Sequence, residues 1–228
     1  MTSSTHPDVD NESRAARRIA RANRDAPFDG AFVPQNAAEL KLALNACRRC
    51  ELWRHAIQGV PGEGAARAKL MLVGEQPGDQ EDVAGHPFVG PAGRLLDKAL
   101  DEAGVPRKAC YVTNAVKHFK FERRGKRRIH AKPDVSEIKA CKWWLDNERR
   151  MVKPKVIVAL GATAGRSVLG RAVTVREDRA KPHKLEGGTT AILTVHPSYM
   201  LRIPDREDKA EAFALFVEDL KTAWALVG

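Results

Sequence analysis

The chain has 228 residues, of which 43% are hydrophobic and 30% charged, so it is long enough to bury the core of one compact domain. No apolar run reaches a membrane-spanning length and the N-terminus has no signal-like apolar stretch, which predicts a cytoplasmic protein. The 39 Lys and Arg residues outnumber the 29 acidic ones, and the formal net charge of +10 favours nucleic acid as a partner. Four cysteines are too few for a disulfide scaffold, so the Cys47-x-x-Cys50 pair indicates metal or redox chemistry.

The order of predicted elements indicates an α/β fold. Residues 1–25 are polar and rich in arginine and predict a disordered basic tail, whereas residues 26–228 predict a single domain. A first helix is expected from Asn36, where Glu39 stands at capping-box spacing. Buried parallel strands are predicted for four short apolar runs, at 70–73, 111–116, 156–160 and 191–195. Helices are predicted between and after them, at 94–103, 135–148, 163–170 and around 213–224. Strands that alternate with helices predict a parallel sheet covered on both faces.

Three polar side chains stand where predicted strands end. Glu75 follows the first strand, Asn114 lies at the end of the second, and His196 follows the fourth. Because ligands bind beyond the carboxyl ends of parallel strands, these residues are expected to meet at one edge of the sheet. Each alone would also suit a turn or a helix cap. Together, a carboxylate, an amide and an imidazole indicate a catalytic cleft.

Two further segments have a composition suited to nucleic acid. The stretch 86–93 contains two prolines and two glycines and exposes one aromatic residue, Phe88, just before a helix begins. Such a ring can stack on a base, although it would equally serve as a plug in the core. The stretch 117–132 is dominated by Lys and Arg with interleaved aromatic residues. That composition is typical of a loop that grips a phosphate backbone, with a solvated basic loop as the alternative.

Five short motifs resemble one known family. GEQPGD at 74–79, PFVG at 87–90, NAVKHF at 114–119 and HPS at 196–198 resemble the iron–sulfur (family 4-like) branch of the uracil-DNA glycosylase superfamily. KRRIH at 126–130 resembles the loop of the X-type members, which bond covalently to the abasic site that they generate. The resemblance spans residues 47–198 and leaves the N-terminal tail outside. It implies a three-layer α/β/α sandwich on a four-stranded parallel sheet.

The resemblance also implies a role for each motif residue. Phe88 is expected to stack on a flipped uracil and Asn114 to hydrogen-bond to its edge, because a base inside a duplex must leave the stack before an enzyme can reach it. Glu75 and His196 are expected to stabilise the positive charge that develops on the sugar and the negative charge on the leaving base. The implied catalytic residues are Glu75, His130 and His196. The implied substrate-binding residues are Gln76, Asp79, Phe88, Asn114, Arg128 and Ser198.

His130 occupies the position of the covalent nucleophile in X-type members. If its neutral ring lies nearer to the sugar carbon than water does, it attacks first, and Glu75 could hold it in the required tautomer. The resulting bond between imidazole and sugar hydrolyses poorly without an acid. The resemblance therefore implies a single-turnover enzyme, linked to its DNA product.

The same resemblance implies a [4Fe–4S] cluster. Three of its ligands match the four-cysteine pattern of this branch, and the fourth position holds His118, as in X-type members; the implied set is Cys47, Cys50, His118 and Cys141. Cys110 precedes the second strand and lies roughly 25 Å from His118 at about 3.3 Å per residue, so both cannot bind one cluster. By spacing alone, three cysteines and a histidine would equally suit structural zinc.

Three functions are compatible with the sequence. The first is covalent capture of uracil-containing DNA, with single strands preferred and the protein acting as a monomer. The second is an ordinary multiple-turnover uracil-DNA glycosylase, in which His130 only contacts DNA. The third is a non-catalytic, metal-stabilised nucleic-acid-binding module. Glu75, Asn114 and His196 at one sheet edge argue against the third function, since a binding module does not need these three groups.

Overall fold

The computed structural model describes residues 33–228 and contains one central sheet and one separate hairpin. The strands are β1 (Glu63–Gly64), β2 (Leu70–Gly74), β3 (Cys110–Asn114), β4 (Phe121–Arg124), β5 (Arg127–His130), β6 (Val156–Leu160), β7 (Pro182–Lys184) and β8 (Thr190–Thr194). The helices are α1 (Ala37–Asn45), α2 (Asp79–Ala84), α3 (Pro91–Glu102), α4 (Val135–Val152), α5 (Ala162–Leu169), α6 (Val175–Asp178), α7 (Pro197–Met200) and α8 (Arg206–Ala225).

The predicted four-stranded parallel sheet is confirmed as the centre of the fold. Strands β3, β2, β6 and β8 run parallel in that spatial order, and every residue in them is buried. Burial on both faces is the reason why these strands read as continuous apolar runs. The short strands β1 and β7 extend the sheet at its two edges in antiparallel orientation. They were not predicted, because two or three partly exposed residues carry no hydrophobic period.

Helices cover both faces of this sheet and make three layers, as the resemblance implied. On one face, α3 and α8 pack through a core that includes Leu96, Leu100, Phe216 and Leu220. On the other face, α4 and α5 pack through Leu145, Ala164 and Val168. A third apolar cluster joins α1 to α4 and to Val116, which follows β3. The carboxyl ends of the parallel strands are left uncovered between these layers.

Helix starts agree with the capping signals in the sequence. Asn36 caps α1 by accepting a hydrogen bond from the backbone N–H of Glu39, and Asp134 caps α4 in the same way through Glu137. Helix α4 is longer than predicted and ends at Val152, where Lys153 adopts a left-handed conformation with φ of 54°. The last predicted helix is confirmed, and it extends over Arg206–Ala225.

The basic segment differs from the loop predicted for residues 117–132. Strands β4 and β5 form an antiparallel hairpin, called here the basic hairpin, in which Phe121 pairs with His130 and Arg124 pairs with Arg127. Its two-residue turn begins at Gly125, whose φ of 61° suits a hairpin turn. The segment contains no apolar alternation, so the strand pairing is not visible in the sequence.

The predicted basic tail, residues 1–25, lies outside the described residues. Among residues 33–228, no helix combines the length and the apolar composition needed to cross a bilayer.

Candidate active site

The open edge of the sheet forms one cavity of about 1260 Å³, called here the active-site cavity. The ends of β2, β3 and β8 bring Glu75, Asn114 and His196 to it, as expected for residues at the carboxyl ends of parallel strands. Its lining contains eight of the nine implied catalytic and substrate-binding residues: Glu75, Gln76, Asp79, Phe88, Asn114, His130, His196 and Ser198. Arg128 is not part of this lining and instead connects the basic hairpin to α2.

Phe88 and Asn114 approach each other over Gly74. A Cβ atom at Gly74 would overlap both the Asn114 Oδ1 atom and the Phe88 ring, so a glycine is required here for the two side chains to come together. Phe88 itself adopts a left-handed conformation with φ of 59°, which is strained for an aromatic residue. Its ring centroid lies 6.4 Å from that of His196, at an interplanar angle of 28°. Phe88 is half-buried: it packs against the core cluster that contains Leu96, and it also lines the cavity.

His196 faces the cavity from the end of β8. Its Nδ1 accepts a hydrogen bond from the backbone N–H of Ser198 at 3.1 Å, and the Ser198 hydroxyl lies 2.8 Å from the same nitrogen. Because Nδ1 is an acceptor, the neutral ring carries its proton on Nε2. Burial, followed by the charges of His130 and Arg202, lowers the pKa of His196 to about 4. His196 is therefore neutral near pH 7 and has one N–H donor available for a ligand.

The carboxylate of Glu75 is held between two elements. Its Oε2 accepts a short hydrogen bond from the hydroxyl of Thr163, at the start of α5. Its Oε1 lies 3.4 Å from Nε2 of His130, at the end of β5. One oxygen is thus fixed by the fold, and the other faces the imidazole. The arrangement places a carboxylate and an imidazole beside the same volume of the cavity.

Gln76 fixes the base of the basic hairpin. Its side-chain amide donates to the carbonyl oxygens of Lys120 and Ala131, at 3.1 and 3.0 Å, and its side-chain oxygen accepts from the backbone N–H of Lys120 at 3.0 Å. These three bonds use most of the hydrogen-bonding capacity of the Gln76 carboxamide. The side chain of Gln76 therefore holds His130 over Glu75, which leaves the backbone of Gln76 as the part able to contact a substrate.

Arg128 fixes the middle of the basic hairpin to α2. Its guanidinium donates to Asp79 Oδ1 at 2.6 Å and forms a short ion pair with Asp82, which is fully buried. It also lies 5.5 and 5.2 Å from the ring centroids of Phe119 and Phe121. With two carboxylates already bound, Arg128 is placed to hold the hairpin rather than to contact a phosphate directly.

Comparison with known proteins identifies the family. The sequence profile of the uracil DNA glycosylase superfamily matches residues 61–221. The chain belongs to the uracil-DNA glycosylase superfamily. It is 37% identical over 182 residues to the type-4 uracil-DNA glycosylase of Thermotoga maritima, an alignment that covers 79% of this chain and 89% of the relative. The type-4 enzyme of Pyrobaculum aerophilum is 34% identical, with 69% and 81% covered, and that of Archaeoglobus fulgidus is 30% identical, with 74% and 85% covered.

Two of the cysteines implied as metal ligands, Cys47 and Cys50, follow α1, and the third, Cys141, lies on α4. Cys47 and Cys141 are buried and Cys50 is half-buried in one apolar cluster, and none of them forms a disulfide. The indole N–H of Trp144 donates to Cys47 Sγ and the backbone N–H of Lys117 donates to Cys141 Sγ, both at 3.2 Å. N–H donors to sulfur are among the groups that tune cysteine-ligated clusters. The surroundings of these thiols therefore suit a cluster.

His118 follows Lys117 directly and is buried. Burial, followed by the charge of Arg48, lowers the pKa of His118 to about 4, so the ring is neutral and a nitrogen lone pair is available. Among residues 33–228, no three or more His, Cys, Asp or Glu side chains are arranged closely enough to form a metal-ion site. Three thiols and a neutral imidazole nevertheless fit a cluster in their donor chemistry. Cys110 lies at the opposite end of β3 and donates to the Pro106 carbonyl at 3.6 Å.

Two features of the superfamily site were missed by the sequence reasoning. Thr163 holds Glu75, and its signal was available, because it follows Gly161 at the end of a predicted parallel strand. Lys117 was grouped with the basic residues expected to face DNA, which is wrong for this residue. Its side chain is fully buried and paired with Glu148 of α4 at 2.6 Å. The partner lies 31 residues away, so the pairing cannot be read from local sequence.

Proposed function

We propose that this protein excises uracil from DNA and then remains covalently bound to the abasic sugar through His130. The observation that carries the proposal is the 3.4 Å separation between His130 Nε2 and Glu75 Oε1 at the active-site cavity. It brings the nucleophile and the carboxylate together beside groups suited to hold a base. Membership of the uracil-DNA glycosylase superfamily supports the substrate and the reaction class.

Recognition begins when uracil leaves the DNA stack and enters the cavity. Phe88 supplies a ring for stacking and Asn114 supplies an amide for the Watson–Crick edge, and Gly74 lets the two lie close together. The cavity of about 1260 Å³ is larger than one base, so the sugar and flanking nucleotides also have room. The strain at Phe88 supports a functional role, because strained residues cluster at sites where geometry is imposed by the reaction.

Cleavage of the glycosidic bond separates charge, and the site has a group for each sign. We assign the stabilisation of positive charge on the sugar to the Glu75 carboxylate. The neutral His196 ring has an Nε2–H donor for the oxygen of the departing uracil anion. Thr163 and Ser198 keep the two groups in orientation, so little reorganisation is needed when the bond breaks.

Capture follows from the position of the imidazole. The neutral His130 ring attacks the anomeric carbon through its unprotonated nitrogen while the bond from that carbon to uracil N1 breaks. The bonding electron pair leaves with uracil as its anion, which later takes a proton from water. His130 becomes an imidazolium beside Glu75 and loses its remaining N–H proton to solvent. The product is a neutral imidazole–sugar bond.

The basic hairpin is proposed to grip the phosphate backbone beside the cavity. Its tip carries the exposed residues Arg123, Arg124, Lys126 and Arg127. We propose that single-stranded DNA is preferred, because an unpaired uracil enters the cavity without the energy needed to break a base pair. The protein is proposed to act as a monomer.

Cys47, Cys50, Cys141 and His118 are proposed to hold a [4Fe–4S] cluster. When bound, the cluster would cross-link α1, α4 and the segment that follows β3, and no step of bond cleavage is assigned to it. Structural zinc is the alternative for the same donors.

A denaturing gel tests the proposal. The protein is mixed with labelled single-stranded DNA containing one uracil, and a matched strand containing thymine serves as control. A labelled band that stays with the protein under denaturing conditions, and only with the uracil strand, is expected. Abasic DNA without a retained band would support an ordinary multiple-turnover enzyme and refute capture. DNA that remains intact would refute glycosylase activity altogether.

A further inference from the structure

A buried ion pair contacts the backbone of Asn114. The side chains of Lys117 and Glu148 are both 0% exposed, and Lys117 Nζ lies 2.6 Å from Glu148 Oε2. The same ammonium group donates to the hydroxyl of Thr113 at 2.5 Å and to the carbonyl oxygen of Asn114 at 2.8 Å. All three ammonium protons therefore have an acceptor. Glu148 in turn accepts from the backbone N–H of Gly62 at 2.8 Å.

Stability alone does not account for this pair. Removing two charges from water is expensive, and replacing a buried ion pair by well-packed apolar residues is often neutral or stabilising. A buried ammonium group without an acceptor is costly, so this pair constrains the positions of the groups that accept from it. The geometry fixed here is that of the Asn114 backbone.

Lys117 also connects the two functional sides of the molecule. Its backbone N–H donates to Cys141 Sγ at 3.2 Å, and its ammonium group reaches Asn114. Cys141 and Glu148 are both on α4, seven residues apart, so they occupy the same face of that helix two turns from each other. Lys117 therefore connects α4, through Cys141 and Glu148, to Asn114 at the active-site cavity.

We propose that Lys117, held by Glu148, is a positioning residue for Asn114. It fixes the backbone of the residue that reads uracil and ties that residue to the helix that carries Cys141. This inference rests on the proposed role of Asn114 in reading uracil. Lys117 touches no reacting atom and acts only through Asn114.

The test is a double-mutant cycle that uses neutral replacements. Lys117→Met alone would leave the Glu148 carboxylate buried without its partner, so the informative variant is Lys117→Met/Glu148→Gln, in which the new amide oxygen still accepts from Gly62. It is made in the wild-type and in the Asn114→Ala background. Uracil release is measured under single-turnover conditions with protein in excess, together with iron content and the thermal midpoint. Leu220→Ala is the matched control for reduced stability, because Leu220 is buried in the core that α3 and α8 form on one face of the sheet.

If Lys117 acts through Asn114, the paired variant slows uracil release about 10- to 100-fold in the wild-type background, since a misplacement of 1 Å can cost about 10²-fold. In the Asn114→Ala background, the same change has an effect within about twofold. Leu220→Ala changes the rate by the same factor in both backgrounds.

An equal slowing by the paired variant in both backgrounds would overturn the positioning role, as would a slowing that follows iron loss instead of Asn114. Wild-type rates in Asn114→Ala itself would refute the proposed reading role, a different failure from that of the inference.

Discussion

Thr163→Val removes one hydroxyl from the active-site cavity and leaves the side-chain shape almost unchanged. The hydrogen bond that it removes is the one donated to Glu75 Oε2. A hydrogen bond to a charged group contributes about 1.5–3 kcal/mol, and the Glu75 side chain is 23% exposed, so water replaces part of this contribution. About 1–2 kcal/mol remains, which corresponds to uracil release about 5- to 30-fold slower.

The rate is measured by single-turnover release of uracil, with adduct formation followed in the same samples. Because uracil departs as His130 attacks in the proposed mechanism, both signals should slow together and their ratio should not change. Thr163→Ser restores the donor and should remain within about threefold of wild type. The reasoning is refuted if Thr163→Val releases uracil within twofold of the wild-type rate, or if the serine variant is as slow as the valine variant.

Three further predictions concern the metal ligands, the basic hairpin and His196. Cys141→Ala should lose iron and lower the thermal midpoint, whereas Cys110→Ala should leave iron content unchanged; stoichiometric zinc in anaerobically purified wild type would contradict the cluster. Neutralising three exposed arginines, namely Arg123, Arg124 and Arg127, should reduce the salt dependence of DNA affinity. The slope of log K against log salt should fall in magnitude by about 0.7 for each phosphate that the protein no longer neutralises. An unchanged slope would exclude the hairpin from the interface. Because the pKa of His196 is lowered to about 4, the unfolded state binds a proton there first, so the free energy of unfolding should fall by up to about 3 kcal/mol from pH 6.5 to 4. His196→Asn should reduce this fall, and parallel pH curves would contradict the shift.

The sequence was sufficient to predict the parts of the fold that depend on burial and capping. The four central strands are continuous apolar runs because both of their faces are covered, and Asn36 and Asp134 stand at helix starts with their partners three residues away. Convergence of Glu75 and His196 followed from the rule that parallel strands share a carboxyl edge. Each of these arguments uses residues that are close in sequence or a regular topology.

Contacts over long sequence distances were not predictable. Arg128 binds the basic hairpin to Asp79, which lies 49 residues away in sequence. Gln76 forms hydrogen bonds to the base of the same hairpin. Lys117 looked like its exposed basic neighbours, because the partner that buries it lies on another helix. In each case a charged or amide side chain binds an acceptor that is distant in sequence and close only in the folded chain.

Uracil released per molecule of protein, measured to completion with uracil-containing single-stranded DNA in excess, tests the covalent mechanism most directly. Wild type should stop at one uracil per active molecule, because each protein remains bonded to its product. His130→Ser should release many equivalents, since Glu75 and His196 still stabilise the separating charges and water can enter. Continued release by wild type, or a covalent adduct that persists in His130→Ser, would contradict capture by His130.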